Sequence, residues 1–229
     1  MSYTQTIIFA SLGGILPALF WLWFWLREDR LHPEPKKNII LSFIGGMIIV
    51  PIAFYSQKYT EPLFTGVTLV LCWSLIEETL KLISAYFTGI RKKICDEPID
   101  AMIYLITTAL GFSALENTLF LISDISSNNI VSSIVTGNLR FIGASLLHIL
   151  ASGAIGVFIA FSFNDGKISK IFHTGFGLLV AVILHSIFNI FITKSNNWGA
   201  FIVFAFVWVS IFMLLAAFEK VKNLGKIRL

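Results

Sequence analysis

Charged residues are scarce in this sequence, and their scarcity indicates its class. Only 13% of the 229 residues are Asp, Glu, Lys or Arg, whereas 56% are hydrophobic. Soluble domains carry roughly 25% charged residues, and a water-soluble core of this size could not hide so much apolar surface. The composition therefore predicts an integral membrane protein.

Cysteine is equally scarce, and so are the signals of secretion or nucleic-acid binding. The two cysteines, Cys72 and Cys95, fall in a predicted span and in a predicted loop, which argues against a disulfide framework. The distribution of the +4 formal charge favours membrane topology over nucleic-acid binding. No basic segment precedes the first apolar run, so we interpret that run as a retained span rather than a signal peptide.

Apolar runs dominate what is present. Each is long enough for a helix to cross ~30 Å of hydrocarbon. The seven predicted spans are Ile7–Leu26, Ile39–Ser56, Leu63–Phe87, Ile99–Ile122, Leu139–Phe163, Phe172–Ile192 and Ala200–Phe218. With no soluble domain or repeat detectable, we expect an all-α, polytopic transmembrane bundle of about seven helices. Residues 1–229 would form a single integral membrane domain.

Lysine and arginine are distributed unevenly among the connections. Thirteen of the 17 lie in the first, third and fifth connections and the C-terminal tail, whereas the opposite side has Lys58, Arg140 and Lys194. The positive-inside rule then predicts an N-terminus outside and a C-terminus in the cytoplasm. The fourth connection, Ser123–Gly137, becomes the longest external loop and could cover an outward-facing site.

Three charged residues, Glu77, Glu78 and Lys81, interrupt the third span. A charge near the bilayer centre costs at least ~2.5 kcal/mol, so these residues need partners and indicate function. Glu77 and Lys81 are four residues apart and share a helix face, with Glu78 beside it. One carboxylate can pair with Lys81 and stay ionised, and two carboxyls in different protonation states suit a general base and a general acid.

Three later spans also carry polar residues that lipid would not tolerate. Glu116 lies in the fourth span and His148 in the fifth, while His185 and Asn189 share one face of the sixth. At ~1.5 Å per residue from the outer ends of their helices, Glu116, His148 and His185 lie roughly 10–14 Å deep and Glu77 ~15–22 Å, depending on where the third helix starts. If that helix begins above the membrane plane or tilts, they share a site between the midplane and the outer leaflet. Two His and two Glu residues form a plausible zinc set, although no His-Glu-x-x-His motif is present.

Other chemistries are compatible with the same spans. Ser113, Ser145, Ser152 or Cys72 could act as a nucleophile, but none lies in a distinctive local motif. Ionisable residues within spans also mark ion pathways, so a proton-coupled transporter is an alternative. A transporter should show inverted repeats and a broken helix, and neither is detectable. A non-catalytic membrane scaffold is a third interpretation, which the intact set of Glu, His and Asn disfavours.

Several short elements together form a fairly specific set. They are Asp29-Arg30 with Pro33-Glu34-Pro35, Glu77-Glu78-x-x-Lys81, Phe112-x-x-x-Glu116-Asn117, His148 and His185-x-x-x-Asn189. In this set the chain resembles the PrsW family of bacterial intramembrane proteases, which is related to the CAAX prenyl endopeptidases and bacteriocin-processing enzymes. The CAAX branch usually has Glu-Glu-x-x-x-Arg and Phe-x-x-x-His, so Lys81 and Glu116 favour PrsW.

The resemblance implies a peptidase, classed among metallopeptidases, in the bacterial cytoplasmic membrane. It implies site-1 cleavage of a membrane-anchored anti-sigma factor on its extracytoplasmic side, which leads to sigma-factor activation. The related prenyl endopeptidases have also been explained by a glutamate-activated water, so the use of Zn²⁺ stays open.

With this resemblance, we predict peptide hydrolysis by an activated water. Glu77 or Glu78 would act as general base, with Lys81 holding its neighbour ionised, and Asn189 would donate to the developing oxyanion. The predicted metal ligands are Glu116, His148 and His185. The two histidines could instead polarise the scissile carbonyl, and Glu116 could relay protons.

Overall fold

A computed structural model describes residues 2–29, 32–126, 143–194 and 197–226. These ranges contain seven α-helices and no strand. The helices are α1 (Tyr3–Glu28), α2 (Lys36–Thr60), α3 (Gly66–Ala85), α4 (Asp100–Ser126), α5 (Ser145–Phe161), α6 (Lys167–Lys194) and α7 (Asn197–Lys226). A π-helical turn, Tyr86–Ile90, follows α3 directly. The predicted all-α helix bundle is confirmed within the described residues.

Several helices extend beyond the apolar runs that predicted them. Hydropathy falls at the first charged residues, but the backbone hydrogen bonds of a helix continue through them. Helix α7 runs to Lys226 instead of ending at Phe218, and its last turns carry an ion pair of 2.6 Å between Glu219 and Lys222. Hydropathy averaged along the sequence does not detect polar helix ends of this kind.

Helix α3 begins later than its apolar run suggested, at Gly66 instead of Leu63. The amides of Leu63 and Phe64 both bond the carbonyl of Thr60, which makes the preceding segment a turn. Gly66 has a positive φ of 58°, a conformation that glycine adopts without strain. The later start places Glu77 only ~16 Å along the helix, at the shallow end of the predicted depth.

Five helices, α1, α2, α4, α6 and α7, are long and apolar enough to cross a membrane. Helix α3 carries three charged residues, and α5 has 17 residues. Residues 127–142 lie outside the described residues, so most of the predicted Ser123–Gly137 loop and the start of the Leu139–Phe163 span do too. Arg30 of the first-loop motif also lies outside them. The orientation of the termini stays a prediction.

Helix α4 lies at the centre of the bundle. Within its most apolar stretch, 72% is buried inside the bundle, compared with 22–33% for the other four long apolar helices. It packs against α1, α2 and α5. At the crossing with α2, a Cβ atom on Gly111 would meet the backbone carbonyl of Phe43, so glycine lets the two helices touch.

The first connection is anchored to α4 through Tyr104. The hydroxyl of Tyr104 donates to the carboxylate of Glu34. His32 is 62% exposed and lies 3.7 Å from Glu97, which agrees with a rigid charged turn. Asp29, just after α1, is buried, and burial together with Glu34 and Glu97 raises its pKa to about 7. This motif therefore supports the bundle at one end.

Candidate active site

The three charged side chains of α3 meet inside the bundle. Glu77, Glu78 and Lys81 are all buried. The ammonium of Lys81 lies 2.6 Å from Oε1 of Glu78 and 3.9 Å from Oε2 of Glu77. It also lies 4.6 Å from the centroid of the Phe112 ring, a cation–π contact. Glu78 is therefore the closer partner of Lys81, a choice that the sequence left open.

His185 of α6 and Ser152 of α5 complete the surroundings of Glu78. Nδ1 of His185 lies 2.7 Å from Oε1 of Glu78, and the hydroxyl of Ser152 donates to Oε2 at 3.2 Å. An ionised carboxylate only accepts hydrogen bonds, so Nδ1 of His185 donates. A neutral ring with its proton on Nδ1 has a lone pair on Nε2, and this atom lies 3.7 Å from Oε2 of Glu77.

His148 of α5 lies between two charged side chains. Its Nδ1 is 2.8 Å from Nζ of Lys81, and its Nε2 is 3.1 Å from Oε2 of Glu116. An ammonium group donates and cannot accept, so Nδ1 is the acceptor and Nε2 carries the proton that goes to Glu116. The rings of His148 and His185 are in edge contact, with centroids 5.2 Å apart.

Glu77 keeps one oxygen open. Its Oε1 accepts a hydrogen bond of 2.8 Å from Nε2 of Gln57, in the last turn of α2. Its Oε2 is buried and has no hydrogen-bond partner among the described residues. A buried carboxylate oxygen without a donor is costly unless a water molecule, substrate or ion fills the space beside it. Glu77 and Glu78 therefore differ in kind, because only Glu78 has both oxygens hydrogen-bonded in the described structure.

Glu77, His148 and His185 form a group that could hold a metal ion. One ligand atom from each lies within 4.8 Å of the other two. Glu77 and His185 present open atoms as they stand, whereas His148 presents one only by giving up Lys81 or Glu116. A histidine that donates its other N–H to a carboxylate is the usual arrangement in zinc sites. The donor set fits zinc, with Glu77 as a ligand candidate that the sequence had placed as a base.

Of the two remaining predicted residues, Glu116 lies at the edge of this group. Glu116 of α4 is partly buried, with 20% of its side chain exposed, and contacts His148. Asn189 follows His185 by one turn of α6 and is partly buried. The structure thus brings residues of α3, α4, α5 and α6 to one place, as the depth estimate predicted.

Of the alternative nucleophiles, Ser152 bonds Glu78 within the site, whereas the other three have different surroundings. Ser113 and Ser145 bond each other at 3.0 Å and both accept from Asn117, which joins α4 to α5. Cys72 lines an apolar crevice of about 320 Å³ between α3 and α6. Its lining is otherwise made of Thr68, Leu71, Leu75, Gly175, Leu178, Leu179 and Val182. These contacts give the two serines a packing role and place Cys72 in an apolar environment.

Gln57 is the residue of the site that sequence reasoning missed. It falls one position beyond the predicted second span, Ile39–Ser56, where a polar residue needs no explanation. The short connection between α2 and α3 could have indicated Gln57, because it forces the end of α2 to pack beside the first turns of α3. The contact between Trp73 and Thr60, 3.0 Å from Nε1 to Oγ1, shows that pairing.

Comparison with known proteins adds the family. The model of the PrsW family of intramembrane metalloproteases matches residues 34–216. The "Protease PrsW" of Clostridioides difficile (strain 630) is 25% identical over 225 residues, covering 93% of this chain and 91% of that protein. That of Geobacillus kaustophilus (strain HTA426) is 24% identical over 221 residues, covering 92% and 90%. That of Bacillus subtilis (strain 168) is 24% identical over 206 residues, covering 86% and 89%. No solved structure matches the chain.

The family model covers the first-loop glutamate, the α3 charges and the histidines of α5 and α6 in one match. A membrane-embedded protease implies a lipid bilayer around its helices and a membrane substrate. The chain belongs to the PrsW family of intramembrane metalloproteases, and it is a multi-pass peptidase of the bacterial membrane.

Proposed function

We propose that this protein carries out site-1 cleavage of a membrane-anchored anti-sigma factor, with the group around Glu77 as its reaction centre. The observation that carries the proposal is the open Oε2 of Glu77, buried and 3.7 Å from Nε2 of His185. The substrate is the one that the resemblance implies. Cleavage of a peptide bond by water needs an oxygen that can accept a proton or bind an ion at this place.

Glu78 and Lys81 prepare His185 for this reaction. Lys81 keeps Glu78 ionised through the contact of 2.6 Å, and Glu78 accepts the proton of Nδ1 at 2.7 Å. The lone pair of His185 on Nε2 is thereby directed to the side on which Glu77 lies. In this proposal Glu78 orients His185, and Glu77 takes part in the reaction with water. Glu78 is assigned the orienting role because both of its oxygens already accept hydrogen bonds.

The residues that would hold a zinc ion are Glu77, His148 and His185. When bound, such an ion supplies Lewis acidity to a water molecule and to the scissile carbonyl. Glu116 is then the carboxylate beside His148 that exchanges protons with the water and the leaving amine. In the absence of an ion, Glu77 itself accepts the proton of the water.

Asn189 is proposed as the donor to the oxyanion that forms at the scissile carbonyl. It follows His185 by four residues on α6, so the two residues share one face of the helix. Donors of this kind contribute about 2.7–4 kcal/mol in soluble proteases. His185 itself is nine residues from the end of α6 and eighteen from its start, which supports cleavage towards the extracytoplasmic side under the predicted orientation.

The test uses purified protein in detergent with a candidate anti-sigma factor as substrate. We expect cleavage by the wild type, a loss on addition of a chelator and recovery on addition of zinc. Glu77→Gln should reduce the rate by roughly 10²–10⁴-fold, the usual contribution of a general acid or base. The cleavage product is measured by gel and by mass spectrometry, which also locates the cut bond.

Glu219→Gln is the matched control, because Glu219 is 57% exposed on α7 and pairs only with a lysine of its own helix in the described structure. It should cleave at the wild-type rate. Full cleavage by Glu77→Gln, with the protein folded, contradicts the proposed role of Glu77. Cleavage that a chelator leaves intact favours the mechanism in which Glu77 accepts the proton without an ion.

A further inference from the structure

Gln57 bonds the oxygen of Glu77 that is not the one beside His185. Its side-chain amide donates to Oε1 of Glu77 at 2.8 Å, across the contact between α2 and α3. The amide could present either its oxygen or its nitrogen, but an ionised carboxylate only accepts, so the nitrogen faces Glu77. Gln57 thus brings a neutral donor to Glu77, the α3 carboxylate that Lys81 does not hold closely.

A second set of contacts holds Gln57 in place. Nε1 of Trp73 donates to Oγ1 of Thr60 at 3.0 Å, and Thr60 donates to the backbone carbonyl of Gln57 at 2.7 Å. Trp73 precedes Glu77 by one turn of α3. The last turn of α2 therefore contacts α3 at two points: at Trp73, one turn before Glu77, and at Glu77 itself.

These contacts fix the orientation of the Glu77 carboxylate. With Oε1 held by Gln57, rotation of the carboxylate is restricted, and Oε2 lies 3.7 Å from Nε2 of His185. Carboxylates that bind metals are themselves usually hydrogen-bonded, and removal of such outer partners typically costs 10–100-fold in affinity or activity. A neutral amide achieves this without adding a charge to a site that already contains an ammonium group and three carboxyls.

We propose that Gln57 is a positioning residue, which holds Oε1 of Glu77 so that Oε2 faces the place where water, substrate or ion binds. This inference rests on the proposed function, because it assigns a role within the same site. It predicts that Gln57 affects the chemical step and metal affinity more than substrate binding. A residue that merely joined α2 to α3 would affect stability alone.

The experiment compares Gln57→Met and Gln57→Glu with the wild type. Methionine keeps the length of the side chain without a donor, and glutamate keeps its shape but replaces the neutral amide with a second carboxyl beside Glu77. Both variants should lower kcat by about 10–100-fold with KM little changed, and should lower zinc affinity by a similar factor. Zinc affinity is measured by competition with a chromophoric chelator, which needs no substrate.

The matched control is Ser56→Ala, one residue away on α2. The hydroxyl of Ser56 bonds only the carbonyl of Ile52 in its own helix within the described structure, so this variant should keep both kcat and zinc affinity. Thermal unfolding of every variant in detergent shows whether the protein is folded at the assay temperature.

Two results would overturn the assignment. One is a wild-type kcat and zinc affinity in both Gln57 variants. The other is a lower unfolding temperature with kcat and zinc affinity unchanged in the folded fraction, which would make Gln57 a structural contact. If the wild type cleaves no substrate, the proposed function fails separately. A lower zinc affinity in the Gln57 variants then still supports the positioning role, and an unchanged one overturns it.

Discussion

Replacing Lys81 by methionine tests the centre of the charged network. Lys81 is completely buried, and its ammonium lies 2.6 Å from Glu78 and 2.8 Å from His148. Methionine has a similar length and is apolar, so Lys81→Met removes the charge with little change in volume. Glu78 then remains ionised and buried without a cation, or it must take up a proton. Either outcome weakens the folded state.

The magnitude follows from the burial of both partners. Removing one partner of a buried ion pair costs about 3–5 kcal/mol. A domain of 150–250 residues loses roughly 2–4 °C in its unfolding midpoint per kcal/mol. We therefore expect the midpoint of Lys81→Met to fall by roughly 6–20 °C. The cation–π contact with Phe112 is lost as well and acts in the same direction.

The assay is thermal unfolding of purified protein in one detergent, with two comparison variants. Lys222→Met removes a lysine with the same spacing and the same distance of 2.6 Å to its glutamate, but that glutamate is 57% exposed. Surface pairs are worth about 0–1 kcal/mol, so its midpoint should change little. The double variant Lys81→Met with Glu78→Gln should regain most of the loss, because Glu78, the carboxylate that Lys81 holds most closely, then carries no charge. A wild-type midpoint for Lys81→Met would refute the reasoning.

Two further perturbations address the scaffold. Because burial, Glu34 and Glu97 raise the pKa of Asp29 from 3.8 to about 7, the folded protein holds this proton more tightly than the unfolded chain. Stability should therefore fall as pH rises from about 4 to about 7. When the unfolding midpoint is plotted against pH, Asp29→Asn should flatten this part of the curve. An unchanged slope would contradict the assignment. Gly111→Ala should cost about 1–3 kcal/mol by forcing α2 and α4 apart. Gly175→Ala, whose added Cβ would meet no atom within 4 Å, is the control, and equal unfolding midpoints would contradict the close crossing.

The sequence predicted the helices well because the apolar runs are long and charged residues separate them. All seven predicted spans contain a helix in the described part of the chain. The errors lie at the ends, where Gly66 and the turn before it shortened α3 and charged residues lengthened α7. Hydropathy measures transfer to lipid, whereas a helix ends where its backbone hydrogen bonds end.

The site was predictable as a set of residues but not as a set of pairs. Glu116, His148 and His185 were expected near the α3 charges, and they lie there. The spacing of Lys81 allowed pairing with either glutamate, and the choice of Glu78 depends on where His185 and Ser152 approach α3. Such distances follow from how helices rotate against one another, which a single sequence does not encode locally.

The network around Lys81 also has a consequence for how the chain enters the membrane. During synthesis α3 precedes its partners, since His148 follows Lys81 by 67 positions and His185 follows Glu78 by 107. Until α5 and α6 arrive, only contacts within α3 or with α1, α2 and α4 can shield its charges from lipid. The Lys81–Glu78 pair, three residues apart on one helix, can form at once and bring a cation and an anion together before any later helix exists. The spacing that organises the finished site therefore also lowers the cost of holding the charges of α3 in the bilayer before α5 and α6 are inserted.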